Sequence, residues 1–324
     1  MDEERATSEG DKVVGIAGKL RTSLFGIPSE RAVFSRPGFT EEAWLRFQPV
    51  AHSLVEGYHA TLEDSRLEAL VPRLDAVQPE LQGFAYEGAG MGLAALDMMA
   101  PWKNRLKEFV EGPGAPHIYP IYVGVGLAIA RLHRQPERFM TRLDPLLRWV
   151  VVDGYGFHEG FFAWKRTVER QARPASFSSY AGRLFDQGLG RALWFASGAL
   201  VDRVAMIIST FPEERRPDLW SGVGLACAYA GGVSRPEIEH LLTIANPYRL
   251  QLARGAAVAA KGRQQAGNSA PHTELACQVF SGLSSEQAAH IIDETSAGLP
   301  PDGVEPAYEV WRQRTQAQFA AVVM

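Results

Sequence analysis

Asp153 and His158 lie five residues apart in Val150-Val151-Val152-Asp153-Gly154-Tyr155-Gly156-Phe157-His158-Glu159-Gly160-Phe161-Phe162, chemically the richest stretch of the chain. An imidazole near a carboxylate is the pattern of a general acid or base whose tautomer the carboxylate sets. On a helix this spacing allows charge coupling without ideal facing. Glu87 and Asp186 occupy related places in Tyr86-Glu87-Gly88-Ala89-Gly90-Met91 and Phe185-Asp186-Gln187-Gly188-Leu189-Gly190-Arg191. His158, Asp153, Glu87 and Asp186 are therefore the candidate proton-transfer set. Two plainer readings stand beside it. His158 can be a core histidine satisfied by a neighbouring carbonyl, and the acids can cap their own helices, where a carboxylate gains roughly 0.3–1 kcal/mol.

Other chemistries find less support. His59 and Glu56, with Glu87, Asp153 and His158, would make a His/carboxylate metal set only if three distant stretches converged, and no His-x-x-x-His pair anchors one. The sequence assigns no metal and identifies no cofactor. Nucleophilic catalysis lacks a Gly-x-Ser-x-Gly elbow. The aromatics Tyr86, Tyr122, Trp149, Tyr155, Phe185, Trp194 and Trp220 fall near equivalent helix ends, where they would line an apolar groove or simply pack the core. With Phe157, Arg191, His59 and Glu56, the residues Tyr86, Tyr122, Tyr155, Trp194 and Trp220 are the candidate substrate-binding set.

The elements that would position these groups follow from a repeat. Gly-x-Gly recurs with first glycines at Gly88, Gly124, Gly154, Gly188 and Gly222, spaced 36, 30, 34 and 34 residues apart, and degenerate copies at Gly57 and Gly255 make seven. A period near 33 residues is the size of a helical hairpin and marks solenoids and arrays. A nucleotide fingerprint is excluded by context, because Gly-x-Gly-x-x-Gly matters only between a strand and a helix. Glycine inside a helix costs roughly 0.5–1 kcal/mol against alanine. Glycines two apart point to nearly opposite flanks, so an inner helix wedged between its neighbours on both sides explains them. The residue before each first glycine is then Glu56, Glu87, Val123, Asp153, Gln187, Ser221 and Arg254, a polar row along equivalent helix starts.

The expected fold is all-α, with tandem helical-hairpin repeats forming an α-solenoid or a closed α/α toroid, capped by helices at both ends. Residues 1–40 read as a tail, a short helix over 13–24 and a packed loop. Residues 41–261 read as the repeat array, and 262–324 as an exposed loop followed by capping helices. Outer helices are expected over 67–81, 102–110, 136–147, 178–184, 201–211 and 235–244.

With 46% hydrophobic residues, 7 Trp, 16 Phe and 9 Tyr in 324 residues, the chain can build a large core. A net charge of −4 and no Lys/Arg block argue against a nucleic-acid partner. Cys227 and Cys277 stand in apolar helical stretches and read as buried thiols. No apolar run reaches the ~18 residues of a membrane span. The acidic, polar start is unlike a secretory signal, so a cytoplasmic location is expected.

Several stretches together resemble a bacterial domain-of-unknown-function family encoded in enediyne natural-product gene clusters. They are Leu24-Phe25-Gly26-Ile27-Pro28, Glu56-Gly57-Tyr58, the two stretches around Glu87 and Asp186, the stretch 153–162, and Ser221-Gly222-Val223-Gly224-Leu225-Ala226. The likeness covers residues 20–260, and 153–162 is its most specific part. The resemblance implies a role in making or maturing a polyketide-derived enediyne, without prescribing a reaction. Two expectations follow. In one, the protein is an enzyme that cyclises or rearranges a conjugated polyene or nascent enediyne by proton transfer in an aromatic-lined cleft. In the other, it is a non-catalytic array that binds a partner enzyme of the same pathway or sequesters a labile intermediate.

Overall fold

A computed structural model of the chain describes residues 15–28 and 41–323, and among these residues every regular element is helical. In chain order the helices are α1 (Ile16–Phe25), α2 (Glu41–Glu63), α3 (Leu67–Asp75), α4 (Pro79–Met99), α5 (Arg105–Glu111), α6 (Ile118–Arg131), α7 (Pro136–Met140) and α8 (Val150–Phe162). They continue with α9 (Ser179–Ala196), α10 (Val201–Ser209), α11 (Arg216–Ala230), α12 (Arg235–Ile244), α13 (Arg249–Ala266), α14 (Pro271–Ser281), α15 (Ser285–Ser296) and α16 (Ala307–Val323). The expected tail, the loop at 34–39 and the cap at Thr40 lie outside the described residues.

Helices α2, α4, α6, α8, α9, α11 and α13 carry the seven glycine copies and pack side by side in that order. Their glycines explain how closely. A Cβ added at Gly88 would stand 1.9 Å from the carbonyl oxygen of Leu54 on α2, and one at Gly90 would stand 2.6 Å from that of Ile121 on α6. The first glycine of a copy thus faces the preceding inner helix and the second faces the following one. The alternation holds from Gly57 to Gly255, always against a backbone carbonyl. Any side chain would force the two backbones apart, and the dispersion gained at this separation offsets the helix-propensity cost.

This register corrects one sequence-based expectation. Gly57 meets Ala85 of the following helix, so it is the second glycine of its copy, and Val55 stands at the first position. The polar-row position of the first copy is therefore Leu54. Glu56 sits at the middle position and is exposed.

The row curls until its last helix, α13, reaches its second, α4. Arg263 at the end of α13 donates to the carbonyl of Glu80 at the start of α4 (3.2 Å) and to that of Tyr229 on α11 (2.5 Å). The Tyr229 ring packs edge-on against Phe84 of α4 at 5.2 Å. Near the other edge, Phe47 of α2 packs on Phe195 of α9 at 4.8 Å. The inner helices consequently surround a common hollow.

The outer layer is less regular than the repeat suggests. Helices α5, α10 and α12 fall where expected. Helix α3 stops at Asp75, because Pro79 opens α4, and α7 is a short turn ending at Met140. Residues 178–184 are not an outer element: they belong to inner helix α9, which begins at Ser179 under a Ser178 cap. A π-helical turn, Lys165–Glu169, stands in the outer layer there. Of the loop expected over 262–271, the first five residues are the end of α13, with Arg263 only 1% exposed, and the connection to α14 is confined to 267–270. Helix α15 opens with the Ser284–Gln287 capping box. Helix α16 crosses to α9, where its Glu309 pairs with Arg183 at 2.7 Å.

Candidate functional site

On a helix each residue turns by about 100°. With the two glycines directed at the two neighbouring helices, the residue between them and the residue just before them must face opposite ways. The structure assigns the second of these to the hollow. Glu87, Val123, Asp153 and Gln187 line a central cavity, joined by residues four and eight positions further along the same faces, such as Arg191 and Tyr229. Tyr308 of α16 closes one side. The free volume is about 40 Å³, room for about three water molecules.

The polar groups of this cavity form one network. Arg191 Nη1 donates to Asp153 Oδ1 at 2.5 Å, and Gln187 Nε2 donates to Asp153 Oδ2 at 2.8 Å. Arg191 and Asp153 are 5% and 2% exposed, so each needs the other's charge. Glu87 is the odd group out. It is 2% exposed, and its Oε1 has no hydrogen-bond partner among the described residues. Burial pushes its carboxyl up to about 7; Arg191 pulls it down and the Asp153 charge pushes it further up. Because Asp153 already neutralises Arg191, an ionised Glu87 would leave an uncompensated buried charge. Arg191 Nε is likewise without a hydrogen-bond partner. The hollow therefore holds a carboxyl group that can give or take a proton near neutrality and a fixed N–H donor for developing negative charge.

His158 lies elsewhere. It lines a second, apolar cavity of about 60 Å³ with Leu54, Met91, Leu127, Phe157 and Phe161, beside Ile27 from the segment after α1. Its Nδ1–H donates to Glu159 Oε1 at 3.2 Å, and its ring lies 4.6 Å from Phe162. Burial, with Arg131 and His133 adding to it, holds the imidazole down at about 3. It is a neutral ring, so its contact with Glu159 is a hydrogen bond, not an ion pair. Glu159 is also held by Arg166. The structure does not bring His158 to Asp153. Arg191 marks the boundary between the cavities: its guanidinium pairs with Asp153 on one side and lies 4.8 Å over the Phe157 ring on the other.

The remaining candidates line neither cavity. Asp186, one residue before the polar-row position, is fully buried and clamped by Arg215 at 2.5 Å and by Arg173, tying α9 to its outer loops. Tyr86 donates to Asp75 of α3 at 2.7 Å and stacks on His117 at 3.8 Å. Tyr122 accepts from the Asp144 amide at 3.0 Å. Trp220 stacks on Tyr248 at 6.2 Å, and Tyr155 packs against Phe177 at 5.3 Å. Trp194 donates to the Gly231 carbonyl at 3.1 Å. His59 Nε2 accepts from the Ile27 amide at 3.0 Å, holding the segment after α1 in place. Among the described residues no three His, Cys, Asp or Glu side chains gather for a metal ion. No helix among them is long and apolar enough to cross a membrane.

Among the contributors not singled out from the sequence are Tyr119, Tyr229 and Tyr308. Tyr229 was findable, since it lies eight residues after Ser221 on the same helical face. Tyr308 was not, because α16 carries no copy of the repeat.

No curated protein and no solved structure matches the chain. The family described as "Protein of unknown function (DUF1702)" matches residues 16–319. That span takes in every inner helix and the lining of both cavities, and the chain belongs to this family.

Proposed function

We propose that the protein acts in the biosynthesis of a polyketide-derived enediyne, as the resemblance implies, and that it relocates a proton on a conjugated polyene or nascent enediyne to promote cyclisation or rearrangement. The observation that carries this reading is the pair of unpartnered groups in one buried cavity, Glu87 Oε1 and Arg191 Nε. Glu87 as carboxylate removes a proton from an acidified carbon of an oxygenated polyene, breaking one C–H bond. Arg191, fixed by Asp153, holds the resulting oxyanion by its N–H. Glu87 then returns the proton to a different carbon, so a second C–H bond forms and no oxidant is needed. A carboxyl near 7 serves both steps at neutral pH. A free volume of about 40 Å³ requires the walls to part before such a molecule enters.

That same small volume favours a second reading, a non-catalytic array that holds a partner enzyme of the pathway; sequestering an intermediate would need the same parting of the walls. Glu87→Gln separates the two, since it keeps the shape of the protonated acid and cannot exchange its proton. In a strain that makes the product, proton transfer predicts a loss of titre of about 100-fold or more, with the variant folded. An unchanged titre removes the proton-transfer reading and leaves the binding one.

A further inference from the structure

Beneath α16 lies a cluster of charged groups in which Arg183 reaches solvent while Arg254, Arg312, Asp218 and Glu309 are buried. Asp218 and Glu309 are 2% and 4% exposed and face three guanidinium groups. Arg183 donates to Asp218 at 3.0 Å and to Glu309 at 2.7 Å. Arg312 pairs with Glu309 at 2.9 Å and with Asp218. Both carboxylates are thus occupied by Arg183 and Arg312. The third cation, Arg254, is 5% exposed, and its Nη2 has no hydrogen-bond partner among the described residues. Among the described residues its acid partner is Asp218, 3.9 Å away, and its Nη1 makes a long contact of 3.4 Å to Gln316. A guanidinium does not shed its proton to escape such a place. It needs an anion.

The space for one is present. Arg254 lines a cavity of about 390 Å³ between α9, α11, α13 and α16, within the size range of small-ligand sites and far larger than either cavity of the hollow. Gln251, one turn before Arg254, lines the same cavity, and its side-chain Oε1 is also without a hydrogen-bond partner among the described residues. Turning that amide over would present its NH₂ to an anion. Leu250, Ala317 and Ala320 supply apolar wall.

We propose that this cavity binds a small organic oxyanion, a carboxylate or a phosphate monoester on a short apolar body, with its head group on Arg254 and Gln251. The anion gives Arg254 the close partner that it lacks while Arg183 and Arg312 hold the two carboxylates. This inference rests on the α16 cluster and is independent of the role given to Glu87.

Binding is measured by calorimetry on the full chain, with butyrate and inorganic phosphate as separate probes at constant ionic strength. Saturable binding of either supports the site, and the tighter of the two tells a carboxylate ligand from a phosphate one. Arg254→Gln is expected to weaken that binding by about tenfold or more, and Arg254→Lys by less, since it keeps the charge but not the fork. Without added anion, Arg254→Gln is expected to melt at the same temperature as the wild type or above it, because it removes an unmatched cation. Absence of binding by both probes overturns the proposal, as does an Arg254→Gln variant that binds normally. A sharp fall in that variant's melting temperature also overturns it, by showing that Arg254 is already compensated.

Discussion

The hollow contains two cavities that share α4, α6 and α8, and they bury ionisable groups to opposite effect. Glu87 and His158 are 2% and 8% exposed, and burial drives both toward the neutral form. For a carboxyl that means a proton kept to about 7; for an imidazole it means a proton refused down to about 3. Only Glu87 is left exchanging its proton at physiological pH. The difference lies in the surroundings. The Arg191–Asp153 pair gives the first cavity a preorganised field, whereas the second has mainly aliphatic and aromatic walls and Arg131, whose charge opposes protonation of His158. A histidine amid aromatics is the more conspicuous sequence feature, yet the quieter glutamate holds the chemically poised position.

Three experiments test that contrast, beginning with the largest effect. Asp153→Ala removes the counter-charge of Arg191 and strands a buried cation, at a cost of roughly 3–5 kcal/mol. Urea denaturation should show it, and a loss below 1 kcal/mol would mean that the polar cavity is hydrated enough not to need the pair.

The second concerns Glu87 and pH. Its folded value, about 7, lies above the ordinary 4.5, so the folded state holds the proton more tightly than the unfolded chain. The stabilisation is complete below about pH 4.5 and is lost as pH rises to about 7, a total near ~3 kcal/mol. Comparing denaturation of Glu87→Gln with the wild type across this window should show the variant lacking the slope. Parallel curves would place Glu87 in contact with water.

The third inverts the sign. His158 is depressed from 6.5 to about 3, so its contribution is present above about pH 6.5 and declines as the unfolded chain takes up the proton. By pH 5 the loss is about 2 kcal/mol. His158→Phe should flatten this acid limb while leaving the Glu87 slope intact, and a variant that abolishes both would show that the two cavities titrate together.

Much of this was legible before any coordinates. The glycine period gave the inner helices, and the small residues on both flanks gave their close packing. The capping box at Ser284 gave the start of α15, and Pro236-Glu237 marked α12 within a residue or two. The outer layer was less legible, because α7 and the π-helical turn are short and irregular, held by tertiary contacts and not by a hydrophobic period. The Gly57 copy was placed two residues out of register, since a lone glycine does not say which flank it serves. Asp186 was grouped with Asp153 although one residue separates their register positions. That residue turns the side chain by about 100°, from the hollow toward the arginines that clamp it.

The sequence by itself determined that seven helices of this chain approach one another backbone to backbone, because a side chain at the paired glycines has no room. It could not determine which of the two remaining sides of each helix faces inward. The middle position and the position before the pair are equivalent choices until the row curls, and the direction of curling is fixed by contacts between helices far apart in the row, such as Arg263 with Glu80. Tertiary structure alone therefore decided that Glu87, Asp153 and Arg191 share a cavity, and that α16, which carries no repeat, lies across it.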